Sequence, residues 1–373
     1  MKKEIVIIGA GAAGIGMGCA LHKLGINDFV ILEKGVVGES FFNWPKETRL
    51  ITPSFTTNGF GFPDINAIAP DTSPAYTFAK EHLSGEEYGE YLQMVADHYE
   101  LPIEENCHVT AIKQTENGYC LNTTLGEMIC TYIVMATGEF QNPNKTAIAG
   151  AHHGLHYGEV DSFAVQSDTP FVVIGGNESG VDAAINLLEQ GNQVELFTTD
   201  LGQNAKVPDP SIALSPITKS RLAHAIRSKA PLTIHENKTL RSIDFDGSDY
   251  TLSFEDGSKQ VVENAPILAT GFLNAMHHIQ GDALFSFNED GIPLVNEHDE
   301  STIAKNVFLV GPSLRQNTVI FCYIYKFRQR FAVVAELLAK RMGVTCHAEQ
   351  LEVYKRNQMY LPNAECCDVV CDC

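Results

Sequence analysis

Residues 4–14 read EIVIIGAGAAG: a short apolar strand that runs straight into Gly9, Gly11 and Gly14. A helix-like stretch, IGMGCALHKLG, follows, and the next strand, FVILEK, places Glu33 nineteen residues beyond Gly14. Each residue type has a physical reason. Gly9 permits a tight turn, Gly11 lets a pyrophosphate approach the backbone, and Gly14 lets helix and strand pack closely. The helix N-terminus favours phosphate charge, and the Glu33 carboxylate is placed to accept the hydroxyls of a ribose. The same order recurs in PFVVIGGNESGVDAAINLLEQGNQVELF, with Gly175, Asn177 and Gly180 at the three positions. Asn177 replaces the second glycine, and the expectation is that it takes up left-handed backbone, which Asn visits more readily than other residues. A chain with two such units holds two dinucleotides.

The remaining composition narrows the partners. A formal charge of −20 excludes nucleic acid and anionic membrane as natural ligands, because so acidic a surface repels phosphate. The two lysines ahead of the first apolar run resemble the start of a secretion signal, but Glu4 interrupts the run and a buried strand fits better. No apolar stretch reaches the ~20 residues of a membrane span, so a cytoplasmic protein is expected. Ten cysteines in a chain of this size do not make a disulfide scaffold. Cys19, Cys107, Cys120, Cys130 and Cys322 sit singly in apolar or strand-like contexts and read as small buried hydrophobes. The sequence closes on ECCDVVCDC, which puts Cys366, Cys367, Cys371 and Cys373 in its last eight residues.

Between the two units lies YIVMATGEF, and after the second APILATGFL, two strands each ending in Ala-Thr-Gly. Over roughly residues 1–342 the chain resembles the two-dinucleotide-binding-domain flavoproteins, which include thioredoxin reductases, flavin monooxygenases and bacillithiol-disulfide reductases. The resemblance implies an α/β fold of two Rossmann-like three-layer domains, with FAD on the first and NADH or NADPH on the second. It also implies that the nicotinamide domain, about 150–270, is inserted into a discontinuous FAD domain, about 1–145 and 273–345, with 346–373 as a C-terminal extension. The implied cofactor contacts are Gly9, Gly11, Gly14, Glu33, Lys34, Ser40, Trp44, Val109, Thr137, Gly138, Gly311, Asn317 and Thr318, together with Gly175, Asn177, Ser179, Gly180, Thr270 and Gly271. In NVFLVGPS, Pro312 stands where relatives have Asp, so one flavin hydrogen bond must be replaced or missing.

The branch of the family is set by what is absent. Thioredoxin reductases carry a Cys-x-x-Cys in the nicotinamide domain and glutathione-reductase-like enzymes a pair near the first flavin helix; this chain has neither. Ile148 and Gly150 fit the monooxygenase linker motif, but Gly154 occupies its histidine position, and His156-Tyr157 is similar to the linker of the reductases. EKGVVGESF, NWPKETRLITPS and YGEYLQMVADHYELPI are similar to monooxygenase stretches. VVIGGNESGVDAA and NTVIFCYIYKF resemble bacillithiol-disulfide reductases, which carry a cysteine just before the third glycine where this chain has Ala13. The expectation is an FAD-dependent NAD(P)H oxidoreductase that acts on a small-molecule or protein disulfide, with Cys366, Cys367, Cys371 and Cys373 as a redox-active arm. A flavin monooxygenase, and a flavoprotein or redox sensor whose tail binds a soft metal or metalloid through the same four thiolates, stay open. Thr198, Thr199 and Asp200 stand where NADPH enzymes carry arginines, which favours NADH, although Lys206 could reach a phosphate. A homodimer is expected.

Other features read as structural. Ser84 and Glu87 form a capping box for the helix that follows. Asp64 and Asp209, beside prolines, are turn residues. His152-His153 and His277-His278, taken as strand neighbours, point to opposite faces and do not chelate. KFRQRFAVVAELLAKRMG is a helix packed on the flavin domain.

Overall fold

The computed structural model describes residues 2–56, 62–202 and 211–363. The chain opens with β1 (Ile5–Ile8), α1 (Ala12–Lys23), β2 (Phe29–Leu32), α2 (Glu39–Phe42), α3 (Pro74–Phe78) and α4 (Gly85–His98). Then come β3 (Ile103–Glu104), β4 (Val109–Thr115), β5 (Gly118–Thr123), β6 (Gly126–Cys130) and β7 (Tyr132–Met135). A second α/β run follows: β8 (Leu155–His156), β9 (Phe171–Ile174), α5 (Glu178–Glu189), β10 (Val194–Phe197), α6 (Pro216–Arg227) and β11 (Leu232–His235). It continues through β12 (Leu240–Phe245), β13 (Tyr250–Phe254), β14 (Lys259–Val262) and β15 (Ile267–Leu268). The chain then returns through β16 (Gln280–Gly281), β17 (Val307–Leu309), β18 (Arg315–Gln316), β19 (Val319–Ile320), α7 (Ile324–Met342) and α8 (Ala348–Arg356).

These elements form two compact units, the second inserted into the first. Among the described residues, unit 1 comprises 2–42, 52–139 and 274–363, and unit 2 comprises 43–51 and 140–273. Segment 43–51 thus leaves unit 1 and belongs to unit 2. Lys46 N donates to Asp161 O at 3.0 Å, and the Glu47 carboxylate accepts from Ser162 Oγ and Phe163 N at 2.7 and 2.8 Å. Thr48 Oγ1 lies 2.6 Å from the Tyr157 hydroxyl, and both donate to Asp182 Oδ2, on α5, at 3.1 and 2.8 Å.

Unit 1 is built on the parallel sheet β17-β7-β1-β2-β3, with Ile5 opposite Phe29 and Tyr132. The strands β1, β2 and β7 are buried along their whole length, as strands covered on both faces must be, which is why they read as unbroken apolar runs. Helix α7 packs against α1 so closely that a Cβ on Gly16 would sit 2.2 Å from the Phe331 ring. It begins at Ile324, two residues before the sequence pattern placed it, and ends on the left-handed Gly343. Strands β16, β4, β5 and β6 make a separate four-stranded sheet.

Unit 2 has the parallel sheet β11-β10-β9-β15-β8. Val173, Leu196 and Ile267 on one face pack with Val181 and Ile185 of α5 and Leu222 of α6. Val172, Ile174, Phe197 and Leu268 on the other face pack with Ile243, Leu252 and Phe254 of the meander β12-β13-β14. That is a three-layer arrangement.

The capping box is present: Ser84 Oγ accepts from Glu87 N at 3.2 Å, and Ser84 N donates to Glu87 Oε2 at 2.9 Å. Asp64 is a buried turn residue that accepts from Asn66 N, Ser73 Oγ and Ala75 N. Asp209 lies outside the described residues. The paired histidines depart from the strand reading: both pairs lie in 3-10 turns, and the His152 and His153 rings are only 4.0 Å apart. No helix among the described residues is long and apolar enough to cross a membrane.

Candidate functional site

The turn between β1 and α1 is shaped by its glycines. Gly9 has φ +105°, and a Cβ there would sit 2.5 Å from Ala136 O; a Cβ on Gly14 would fall 1.8 Å from Gly9 O. A Cβ on Gly11 would meet nothing within 4 Å, so that glycine leaves room for a ligand instead of satisfying a packing demand. Gly11 caps α1 with no side-chain hydrogen bond, which leaves the first helical N–H groups to an anion. Glu33 is buried at the end of β2. Its Oε2 accepts from Ala10 N at 2.7 Å and its Oε1 from Gly35 N at 2.9 Å. Burial pushes its carboxyl up, and the Gly35 and Ala10 N–H groups pull it back. The carboxylate still has acceptor capacity for a ribose hydroxyl. At the end of β7 the Thr137 hydroxyl is buried with no partner among the described residues. A buried orphan hydroxyl costs free energy unless something meets it. Room at Gly11, unspent helix N–H groups and the Thr137 hydroxyl together fit FAD.

The other residues expected around the flavin take varied places. Gly138 is left-handed at φ +65°, and its carbonyl accepts from Ala275 N. Val109 is buried at the start of β4, Ser40 lies in α2, and Lys34 is exposed beside Glu33; burial first, then Lys34 and His278, hold the His108 imidazole below its ordinary range. Gly311 faces Ala13: a Cβ on Gly311 would sit 3.1 Å from the Ala13 methyl. Pro312 supplies only its carbonyl, to Arg315 Nη1 at 2.6 Å, but the next residue, Ser313, donates to Glu139 Oε1 at 2.7 Å. Glu139 thus puts a carboxylate near Pro312, the position at which the resemblance implies Asp. The sequence reading passed over it, although it directly follows the Ala-Thr-Gly. Asn317 is left-handed at φ 52° and with Thr318 forms the two-residue tip of the β18–β19 ribbon. Trp44 groups with unit 2, where its ring centroid lies 6.4 Å from that of Phe140, which stacks on Phe272.

The second turn has the same skeleton with different fittings. Gly175 has φ +118°, and a Cβ on Gly180 would fall 1.9 Å from Gly175 O. Asn177 is not left-handed: it caps α5 in extended backbone at φ −99°, ψ −167°. The second position therefore needs little bulk, and the Asn177 side chain lies toward Gly202, where an added Cβ would be 2.3 Å from its Oδ1. Ser179 lies in the first turn of α5, after Glu178, whose carboxylate accepts from Ser215 N and from Thr218 Oγ1 of α6. Thr270 Oγ1 donates to Asn144 O at 2.5 Å, and the carbonyl of Gly271 accepts from His156 Nε2 at 2.9 Å. Since Gly158 N donates to His156 Nδ1 at 3.1 Å, that imidazole is neutral with its proton on Nε2. Burial holds it below its ordinary range.

At the end of β10, Thr198 Oγ1 donates to Asp200 O at 2.6 Å, and Thr199 Oγ1 meets Thr239 Oγ1 at 3.2 Å. Lys238, whose N–H donates to Thr198 O, has its ammonium on Asp256 and Ser258. Lys206 lies outside the described residues, as do Cys366, Cys367, Cys371 and Cys373. Of the described cysteines, Cys19 and Cys130 are buried and pushed up by desolvation, Cys130 to about 12, so neither is a ready thiolate. The sequence reading omitted Cys346, which burial and Glu336 also push up. No group of three metal-binding side chains occurs among the described residues.

The chain is 23% identical over 344 residues to bacilliredoxin reductase Bdr of Bacillus subtilis (strain 168), covering 91% of this chain and 99% of that protein. The solved bacillithiol disulfide reductase Bdr (YpdA) from Staphylococcus aureus superposes with a TM-score of 0.73 at 22% identity, over 91% of this chain and 99% of that one. A flavin-containing monooxygenase from Stenotrophomonas maltophilia gives 0.69 at 16% identity, with coverage of 91% and 99%. The family description pyridine nucleotide-disulphide oxidoreductase matches residues 6–311, and with both dinucleotide turns inside that span the chain belongs to this family of oxidoreductases, which use a flavin and a nicotinamide cofactor.

Proposed function

We propose that the protein is a cytoplasmic, homodimeric FAD-dependent reductase that carries two electrons from NADH to a disulfide, with Cys366, Cys367, Cys371 and Cys373 as the thiols that meet the substrate. The balance is NADH + H⁺ + R–S–S–R → NAD⁺ + 2 R–SH. The observation that carries this reading is that the described residues hold no disulfide-bonded pair of cysteines. Ala13 stands where the resemblance to bacillithiol-disulfide reductases implies cysteine, no two described cysteines are bonded to each other, and Cys19 and Cys130 are desolvated. A disulfide reductase with such a body needs thiols from elsewhere in the chain.

Bound FAD supplies a two-electron carrier between nicotinamide and disulfide. The residues divide the remaining work. Gly11 and the α1 N-terminus receive the pyrophosphate, Glu33 the ribose, and the Thr137 hydroxyl gives the isoalloxazine half a partner. Gly175, Ser179 and the α5 N-terminus receive the nicotinamide pyrophosphate. NADH is favoured because the described end of β10 has its threonines bonded and Lys238 committed to Asp256, which leaves a 2′-phosphate without a ready cation there.

Ending the chain after Asn363 tests the reading. The truncated protein should keep its flavin and its anaerobic reduction by NADH, yet lose at least tenfold of its turnover with bacillithiol disulfide or a bacilliredoxin disulfide. Full turnover would refute it. The monooxygenase likeness makes a second reading, which an oxygenated product formed in step with NADH oxidation would favour.

A further inference from the structure

A cleft of about 680 Å³ opens on unit 1. One wall is the turn carrying Ile292, Pro293 and Leu294, the other is the β18–β19 ribbon with Gln316 and Ile320, and Asn363, where the described chain stops, lines it as well. One fully buried side chain ties these parts together. Arg330 Nε donates to Asp299 Oδ2 at 2.7 Å, Nη2 to Glu297 O at 2.9 Å, and Nη1 to Leu361 O at 2.5 Å. Asp299 Oδ1 in turn accepts from Gln316 Nε2 at 2.5 Å. Leu361 N donates to Gln329 O at 3.0 Å, and Met359 is buried. The root of the last segment is therefore held at the cleft by the same guanidinium that holds Glu297 and, through Asp299, Gln316 of the ribbon.

We propose that this cleft is the docking site of residues 364–373 of the same chain. Three features of the cleft suit that occupant. Its volume is in the range of pockets that take a short ligand. The β18–β19 ribbon is a two-stranded sheet with two residues per strand, the kind of short edge to which an extended segment can add. Its apolar residues, Ile292, Leu294 and Ile320, match Val369-Val370. The reach suffices: three residues from Asn363 bring Cys366 within about 10 Å, and ten bring Cys373 within about 35 Å. The docking goes beyond the redox role and stands without it.

The test places a reporter thiol in the wall. Leu294 is 42% exposed and Leu125, on the separate four-stranded sheet, 63% exposed. In the full chain, L294C should react with a maleimide at least tenfold more slowly than in the chain ended after Asn363, read peptide by peptide, while L125C reacts equally in both. Mild oxidation should link L294C to Cys366, Cys367, Cys371 or Cys373 within one chain. Should the truncated chain fold poorly, the full-length V369D/V370D variant should expose L294C instead. Equal labelling at position 294, protection that survives truncation, or links only between two chains would overturn the proposal. The variant C366S/C367S/C371S/C373S separates the two ideas: docking requires that L294C stay protected, and the redox arm requires that turnover be lost.

Discussion

The two dinucleotide turns share a skeleton and differ in what they leave unfinished. In unit 1 the Thr137 hydroxyl is buried without a partner among the described residues, and a Cβ on Gly11 would meet nothing within 4 Å. In unit 2 the corresponding Thr270 hydroxyl is bonded to Asn144 O, and the second position carries the side chain of Asn177. The first turn leaves a buried hydroxyl for a ligand to meet, whereas the second has its threonine hydroxyl bonded within the chain. That difference matches a cofactor that stays and one that comes and goes. A resident group can serve as part of the core, but a site that empties on every turnover must be stable when empty.

The largest effect should come from closing each turn in its own unit. Gly14→Ala puts a methyl 1.8 Å from Gly9 O, and Gly180→Ala puts one 1.9 Å from Gly175 O, so backbone must shift in both. G14A should yield colourless or insoluble protein. G180A should yield yellow protein whose anaerobic reduction by NADH is slowed at least a hundredfold. Yellow G14A protein with full flavin would break the comparison.

Next in size is the pair of arginine anchors. Arg330 and Asp299 are both fully buried in unit 1, while Arg221, 28% exposed, meets Asp182 in unit 2 at 2.6 Å. Arg330→Met strands a buried carboxylate and should cost roughly 3–5 kcal/mol. Arg221→Met, with water near, should cost about 1 kcal/mol. Denaturant unfolding of both variants checks this, and equal losses would show that burial is not what separates the two anchors.

Much of this was legible in the residues, and the rest was not for identifiable reasons. Glycines at fixed spacing report a steric demand, so Gly9, Gly14, Gly175 and Gly180 were readable, and the Ser84–Glu87 box likewise depends only on local chain geometry. Asn177 misled because the residue type suggested left-handed backbone while the position asks only for modest bulk. Glu139 was passed over because its meaning depends on Ser313, 174 residues away. Segment 43–51, with Trp44, sits in sequence within the first unit, and only Glu47, Thr48 and their partners around Tyr157 assign it to the second. The Arg330 network joins residues from Asn296 to Leu361, and no local pattern announces a buried guanidinium on an otherwise ordinary helix.

The threonine pair gives a finer test. Thr137→Val removes an unpaired buried hydroxyl, so flavin-free protein should lose no stability, while flavin affinity should fall by about 1–1.5 kcal/mol, roughly tenfold. Thr270→Val removes a satisfied bond and should destabilise the protein by about 1 kcal/mol with flavin content unchanged. Thermal melts with and without added FAD separate the two. A loss of flavin-free stability in T137V as large as in T270V would erase the distinction.

The smallest effect is a pH dependence confined to unit 2. His156 is buried and neutral, with Nε2–H on Gly271 O and Nδ1 accepting from Gly158 N, and burial holds its pKa below the ordinary 6.5. Below about pH 6.5 the unfolded chain binds a proton here that the folded chain does not, so stability rises with pH through this window. The contribution of His156 is therefore complete above the unfolded value and is lost progressively as pH falls toward the folded one. His156→Gln retains a donor for Gly271 but cannot titrate. It should flatten the stability profile of the second unit between about pH 5 and 7, at some cost in absolute stability. Melting curves across that range, with flavin release as a separate signal for unit 1, provide the check; an unchanged slope in H156Q would assign the pH response to other groups, His108 first among them because its imidazole is also held below its ordinary range.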